Sequence, residues 1–164
     1  STMTAILYRA SSGVPGDITR QLDTIVEQAL LNSAKVPAAF GAPVKMTSGK
    51  LEKIEAGDTA ASFYGILTRV APSIAGDTAQ TFASQTPNTS AVQGVAVQGY
   101  LNVKCSVGTP ARNGVVYMRV VADTGKAIGD FEATSDTTNS VALTGVVWAS
   151  DGKDSDSTAE IRIK

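Results

Sequence analysis

YLNVKCSV, residues 100–107, places Leu101, Val103, Cys105 and Val107 in strict alternation with Tyr100, Asn102, Lys104 and Ser106. A period of two sends successive side chains to opposite faces, so this segment reads as a half-buried β-strand. The next segment, VVYMRVV (115–121), repeats the pattern, with Val116, Met118 and Val120 on one face and Tyr117 and Arg119 on an exposed row. Between them, GTPARNG (108–114) offers a proline for a turn and an Asn113-Gly114 pair suited to positive φ, so a hairpin with an extended loop is expected. KAIGDFEATSD (126–136), SVALTGVVWAS (140–150) and AEIRIK (159–164) supply three further strands, each bounded by Gly, Asp or Asn.

Upstream, the same punctuation recurs. APVKMTSGKLEKIEAGD (42–58) reads as two short strands turning at Ser48-Gly49, with Val44, Met46, Leu51 and Ile54 as the apolar positions. ASFYGILTRVAP (61–72) is a strand stopped by Pro72, and a polar Thr- and Ser-rich loop follows over residues 75–93. Residues 17–34, DITRQLDTIVEQALLNSA, carry Ile18, Leu22, Ile25, Val26, Ala29 and Leu30 at helical spacing behind a capping Asp17; an extended segment built on Thr24-Ile25-Val26 is the alternative. Six to nine short strands point to an all-β sandwich, jelly roll or barrel, residues 36–164, preceded by an N-terminal arm, residues 1–35.

Composition supports one domain and removes several functions. The 164 residues suffice for a single core, and the low aromatic share of 5% leaves an apolar content leaning on Ala and Val, as β structure with small side chains does. Fourteen basic residues nearly cancel fifteen acidic ones without runs of either sign, so phosphate-tracking nucleic-acid binding is not expected. Histidine is absent, which removes the commonest acid-base group at neutral pH and the commonest imidazole metal ligand. Cys105 is the sole cysteine, cannot form an intrachain disulfide, and reads as a buried structural thiol. No apolar run approaches the ~18–20 residues of a bilayer span, and no basic segment with a long apolar run marks a signal peptide.

Four Gly-Asp pairs, at Gly16-Asp17, Gly57-Asp58, Gly76-Asp77 and Gly129-Asp130, are the best candidates for carboxylate chemistry. A metal site needs several oxygens converging on one point, and local motifs achieve this by close spacing; here each acid stands alone in its own segment. Turn formation explains them directly, with glycine taking positive φ and aspartate bonding a backbone amide two residues on. No nucleophile elbow or phosphate loop occurs, so catalytic, metal and cofactor sites are all expected to be absent.

FGAPVKMTSGKLEKIEAGDTAASFYGILTRVAPS (40–73), GVAVQGYLNVKC (94–105), GTPARNGVVYMRVVADTGKAIGDFEAT (108–134) and the closing NSVALTGVVWAS and DSTAEIRIK resemble the structural cement proteins of tailed-bacteriophage capsids. The resemblance implies a small β-barrel or jelly-roll protein, made in the host cytoplasm, that binds the outer capsid surface as a dimer or other small oligomer. Its partners would be the major capsid protein, whose subunits it clamps, and copies of itself; neither nucleic acid nor membrane is implied. It further implies that residues 17–34 are extended. The candidate contact residues are then Ile6, Leu7, Tyr8, Arg9, Ile18, Arg20 and Ile25 in the arm, with Tyr117 and Arg119 on the exposed row. A β-sandwich that binds host carbohydrate through Tyr100 or Tyr117 is the alternative from another class.

Overall fold

A computed structural model describes residues 13–69 and 87–164. The apolar patch at residues 5–8, Pro72, the Gly76-Asp77 pair and most of the polar loop lie outside them. The described residues form nine strands and two short 3-10 turns: η1 (Gln21–Asp23), β1 (Ile25–Leu31), β2 (Pro43–Thr47), β3 (Lys50–Lys53), η2 (Ala60–Ser62), β4 (Gly65–Leu67), β5 (Val92–Val107), β6 (Val115–Arg119), β7 (Phe131–Glu132), β8 (Ser140–Trp148) and β9 (Thr158–Ile163).

The strand β5 organises everything else. Its second half pairs with β9 on one side and β7 on the other, and β7–β6–β8–β9 completes a closed barrel. Its first half pairs with β1 and β4, and the succession β4–β2–β3–β1 closes a second, smaller ring through a short parallel contact between β3 and β1. The change of partners falls at Gly99: Gln98 faces Ile25 of β1, whereas Gly99 faces Ile163 of β9. Gly99 has φ +118°, a conformation that bends the strand there and that residues with a Cβ rarely adopt.

Alternation puts the expected residues inside. Leu101, Val103 and Cys105 of β5 meet Val116 and Met118 of β6, Phe131 of β7, Trp148 of β8 and Ile161 of β9 in the barrel core. The small ring has its own core of Leu31, Phe40, Val44, Leu51, Leu67 and Val95. Neighbours in sequence divide between the two cores, with Ile66 and Ala96 facing the barrel while Leu67 and Val95 face the small ring. Each fully buried Leu, Ile or Val side chain contributes roughly 1.5–3 kcal/mol, so both cores are substantial. Burial raises the Cys105 thiol pKa, and its Sγ lies 3.4 Å from the Val107 carbonyl, in keeping with an inert structural role.

The all-β expectation holds, with a closed barrel at its centre. Ser48 and Gly49 both have positive φ and join β2 to β3 with Thr47 opposite Lys50, as the two-residue turn requires. Of the two readings open for residues 17–34, the extended one describes β1: β-branched Ile25 and Val26 begin a strand whose register is set by six partners on β5, and tertiary pairing overrides the helical spacing. Three local expectations fail. The segment 61–72 is strand only over Gly65–Leu67, after the η2 turn, and the 75–93 loop ends early because Val92 and Gln93 already belong to β5. β5 and β6 form no hairpin either. The chain turns back at Asp123–Lys126 and enters as β7 between them, antiparallel to β6 and parallel to β5.

Candidate functional site

The described chain begins as a strap paired antiparallel along the edge of β5, over Tyr100–Asn102. Val14-Pro15-Gly16-Asp17 is a tight turn: the Asp17 amide donates to the Val14 carbonyl at 3.0 Å, and Gly16 takes φ +91° at the third position. Asp17 Oδ2 also accepts from the Val14 amide at 3.3 Å, closing the turn from both ends. Gly16 donates to the Asn102 carbonyl at 2.8 Å, Asn102 donates to Asp17 at 2.9 Å, and Asp17 Oδ1 pairs with Arg69 Nε at 2.7 Å. Asn102, on the nominally polar face of its strand, is buried, with Gly13 close to its side-chain amide.

Gly57-Asp58 and Gly129-Asp130 repeat this design. Each aspartate amide donates to the carbonyl three residues back, at Glu55 and Ala127, and each carboxylate accepts from that same residue's amide, at 2.8 and 3.0 Å. The turn reading is right for the three described pairs, but the aspartate reaches back three residues rather than forward two. Nor do these acids converge; among the described residues no group of acids is placed to hold a metal ion.

Asp58 has a second partner, Lys45 Nζ at 2.9 Å, and the same ammonium meets Glu55 at 2.9 Å while Lys35 meets Glu55 at 3.1 Å. Glu55 is held below its ordinary 4.5 by the hydrogen bonds from Lys45 and then Lys35, and both lysines are raised above 10.5, first by Glu55. A depressed carboxyl stabilises the fold above its unfolded-state value and loses that contribution as pH falls through its folded value. The raised lysines contribute fully below about 10.5 and lose their contribution above it. A thermal-melt series is therefore expected to show a plateau near neutrality, falling below about pH 4.5 and above about pH 10.5. A Lys45→Met variant should have a shallower fall at both ends, and an unchanged profile would disprove the role of this cluster.

Past the strap, the chain reaches its most exposed feature. Asp23 and Thr24 donate backbone bonds to Arg20 and Gln21, forming η1, and the Thr24 hydroxyl donates to the Arg20 carbonyl at 2.6 Å. Tyr100 of β5 donates its amide to that hydroxyl at 3.2 Å, fastening the turn to the barrel. Arg20 then lies over the Tyr100 ring, 4.1 Å from its centroid, and reaches Glu160 at 3.5 Å. Arg162, paired with Tyr100 across β9 and β5, places a second guanidinium 5.6 Å from the same ring. Beside them Leu22 is fully exposed and Ile25 is 53% exposed.

The sequence-derived contact residues divide accordingly. Arg20 and Ile25 come together at this surface, whereas Ile18 packs against the barrel core and bridges to Leu101. Ile6, Leu7, Tyr8 and Arg9 lie outside the described residues. Tyr117 is half-buried between β7 and β8. Arg119 is not exposed: it is fully buried, with Nε and Nη2 forking onto Glu132 at 2.7 and 3.1 Å and Nη2 also 2.6 Å from Asp136. β7, paired edge to edge with β6, sets Glu132 beside Tyr117 on the same row and supplies the carboxylate that makes burial of Arg119 tolerable. Of the other residues here, Tyr100 is a sequence candidate only for carbohydrate, and Leu22 and Arg162 are not candidates; the outward phase of Arg162 between Ile161 and Ile163 is legible in the sequence, but its meeting with Tyr100 depends on register.

Elsewhere, a cleft of about 840 Å³ opens among residues 36–43, 53–56 and 127–131, with Pro15 of the strap and Lys104 also lining it. The strap runs along β5 from Asn102 to Tyr100, with Pro15 at the cleft, which Lys104 also lines, and Arg20 at the Tyr100 end.

A closed barrel, a strap along its central strand and an exposed arginine-tyrosine cluster define the all-β scaffold. The model of the structural cement protein family (E217 gp24/Pam3 gp6) matches residues 4–164, and the chain belongs to that family. Among solved structures, a chain of "The capsid of Myoviridae Phage XM1" is similar in fold: TM-score 0.68, 17% identity, covering 98% of this chain and 95% of that one. No curated protein sequence matches the chain.

Proposed function

We propose that the protein cements a phage capsid by binding the outer surface of the assembled shell and bridging neighbouring major capsid protein subunits. Membership of the structural cement family over residues 4–164 carries this reading. The physical form is in keeping with it, since cementing asks for a rigid body with contact surfaces on it. Two cores wound around one bent strand give the rigidity, and the Arg20–Tyr100 surface and the cleft beyond the strap give two separate places to touch. Within the proposed arm, residues 1–35, those from Gly13 to Leu31 lie along the domain, so reach across a subunit seam is assigned to the residues ahead of Gly13, including Ile6, Leu7, Tyr8 and Arg9. Self-association into a dimer or small oligomer on the shell belongs to the same proposal.

Stabilisation follows from linkage: a protein that binds only the assembled lattice favours it by about 2.7 kcal/mol per site at a hundredfold excess over Kd. Repeated over many sites, a modest contact becomes a strong clamp. Cosedimentation of purified protein with assembled capsids tests the binding, with saturation at a fixed ratio to the major capsid protein as the expected result. Failure to sediment with capsids would reject the proposal.

A further inference from the structure

We infer that the surface formed by Arg20, Leu22, Ile25, Tyr100 and Arg162 docks on a segment of the capsid lattice that presents a carboxylate beside an apolar hollow. This rests on the cementing role proposed above and names the contact that would deliver it.

Three observations converge on the surface. Leu22 is fully exposed on a turn that is held from below: Thr24 bonds the Arg20 carbonyl and receives the Tyr100 amide, so the leucine is presented on a fixed base. A fully exposed leucine and, three residues on, a 53% exposed isoleucine leave apolar area in water that a partner can remove. Second, the two guanidiniums share one ring, Arg20 at 4.1 Å and Arg162 at 5.6 Å from the Tyr100 centroid, so a single aromatic side chain holds both charges at one place. Third, their charges are unequally used. Arg20 meets Glu160 at 3.5 Å, whereas Arg162 makes no ion pair among the described residues, and it is exposed.

Chemistry then selects the occupant. An exposed guanidinium with its donors free matches a carboxylate in a bidentate fork, and Tyr and Arg anchors flanked by apolar side chains are the composition of interface hot spots. The Tyr100 ring is already engaged by guanidinium, which disfavours sugar stacking and leaves a protein carboxylate as the complementary group.

The test uses the full chain and assembled capsids. Leu22→Asp and Arg162→Glu, both at exposed positions, are expected to melt like the parent protein while each weakens capsid binding at least about tenfold. Arg162→Lys should lose less than Arg162→Glu, and parent binding should weaken with added salt more steeply than binding of the Arg162→Glu variant. Val115→Asp, at another exposed apolar position, should bind like the parent. Parent-like binding by both surface variants would overturn the inference and leave the cementing role intact, whereas a parent protein that failed to bind capsids would reject both. Equal loss in Val115→Asp would also overturn it. So would a change in the oligomeric state of the free Leu22→Asp protein without any loss of capsid binding, which would make the surface a contact between copies.

Discussion

Arg119→Ala is expected to destabilise the protein by about 3–5 kcal/mol, because it leaves Glu132 fully buried with its charge uncompensated. The guanidinium makes four bonds: two to Glu132, one to Asp136 at 2.6 Å and one from Nη1 to the Val121 carbonyl at 3.1 Å. Together they tie β6 to β7 and to the loop before β8, which is how a strand as short as Phe131–Glu132 keeps its place between β5 and β6. Each charge reinforces the other: Glu132 and then Asp136 raise the guanidinium pKa further, and Arg119 holds the Asp136 carboxyl below its ordinary 3.8. Lysine at this position supplies one point charge instead of a fork, so Arg119→Lys should fall between parent and alanine. Removing both partners, as Arg119→Met with Glu132→Leu, should recover most of the loss, since the cost of a broken pair lies largely in the orphaned charge. Urea unfolding midpoints of the three variants would check this, and an Arg119→Ala loss below about 1 kcal/mol would contradict the buried network.

Gly99→Val is expected to cost about 3 kcal/mol or more and to disturb the arginine surface at the same time. The strand takes φ +118° there, and a Cβ would stand 2.4 Å from the Thr24 Cα and 2.6 Å from the Asp23 carbonyl oxygen. Neither atom belongs to a flexible side-chain end, so η1 itself would have to move, carrying Arg20 and Leu22 away from Tyr100. Gly57→Ala provides the comparison: its φ is +80° but a Cβ there meets nothing, so only backbone strain of about 1 kcal/mol is expected. Melting temperatures together with hydrogen exchange at residues 20–24 would read both effects. A Gly99→Val protein as stable as Gly57→Ala, with unchanged exchange, would show that Gly99 is not the joint between the rings.

Much of this fold is written locally. The alternation in YLNVKCSV and VVYMRVV, the Ser48-Gly49 turn and the three described Gly-Asp turns each depend on a few neighbouring residues, and each is found where the pattern puts it. What escapes a local reading depends on pairing between distant segments. Ile18, Leu22 and Ile25 have helical spacing, yet β5 decides their fate by offering an edge to residues 25–30. Arg119 has the phase of a surface residue and is buried because β7 arrives from twelve residues further on, bringing Glu132 opposite Tyr117. The candidate surface is half legible: Arg20 and Ile25 are candidates from the arm, but Tyr100 and Arg162 become neighbours only through the β5–β9 register. The family resemblance decides between the two readings that pattern leaves open for residues 17–34, in favour of the extended one, and it adds what neither pattern nor propensity contains, the link to a phage capsid.

Cementing itself is tested by heating assembled capsids that lack the protein, with increasing amounts of the purified chain added back, and recording the temperature at which the shells rupture or release their genome. Bridging of subunits requires that temperature to rise with occupancy and to level off when the capsid sites are filled; a rupture temperature that stays constant while the protein is demonstrably bound would contradict it.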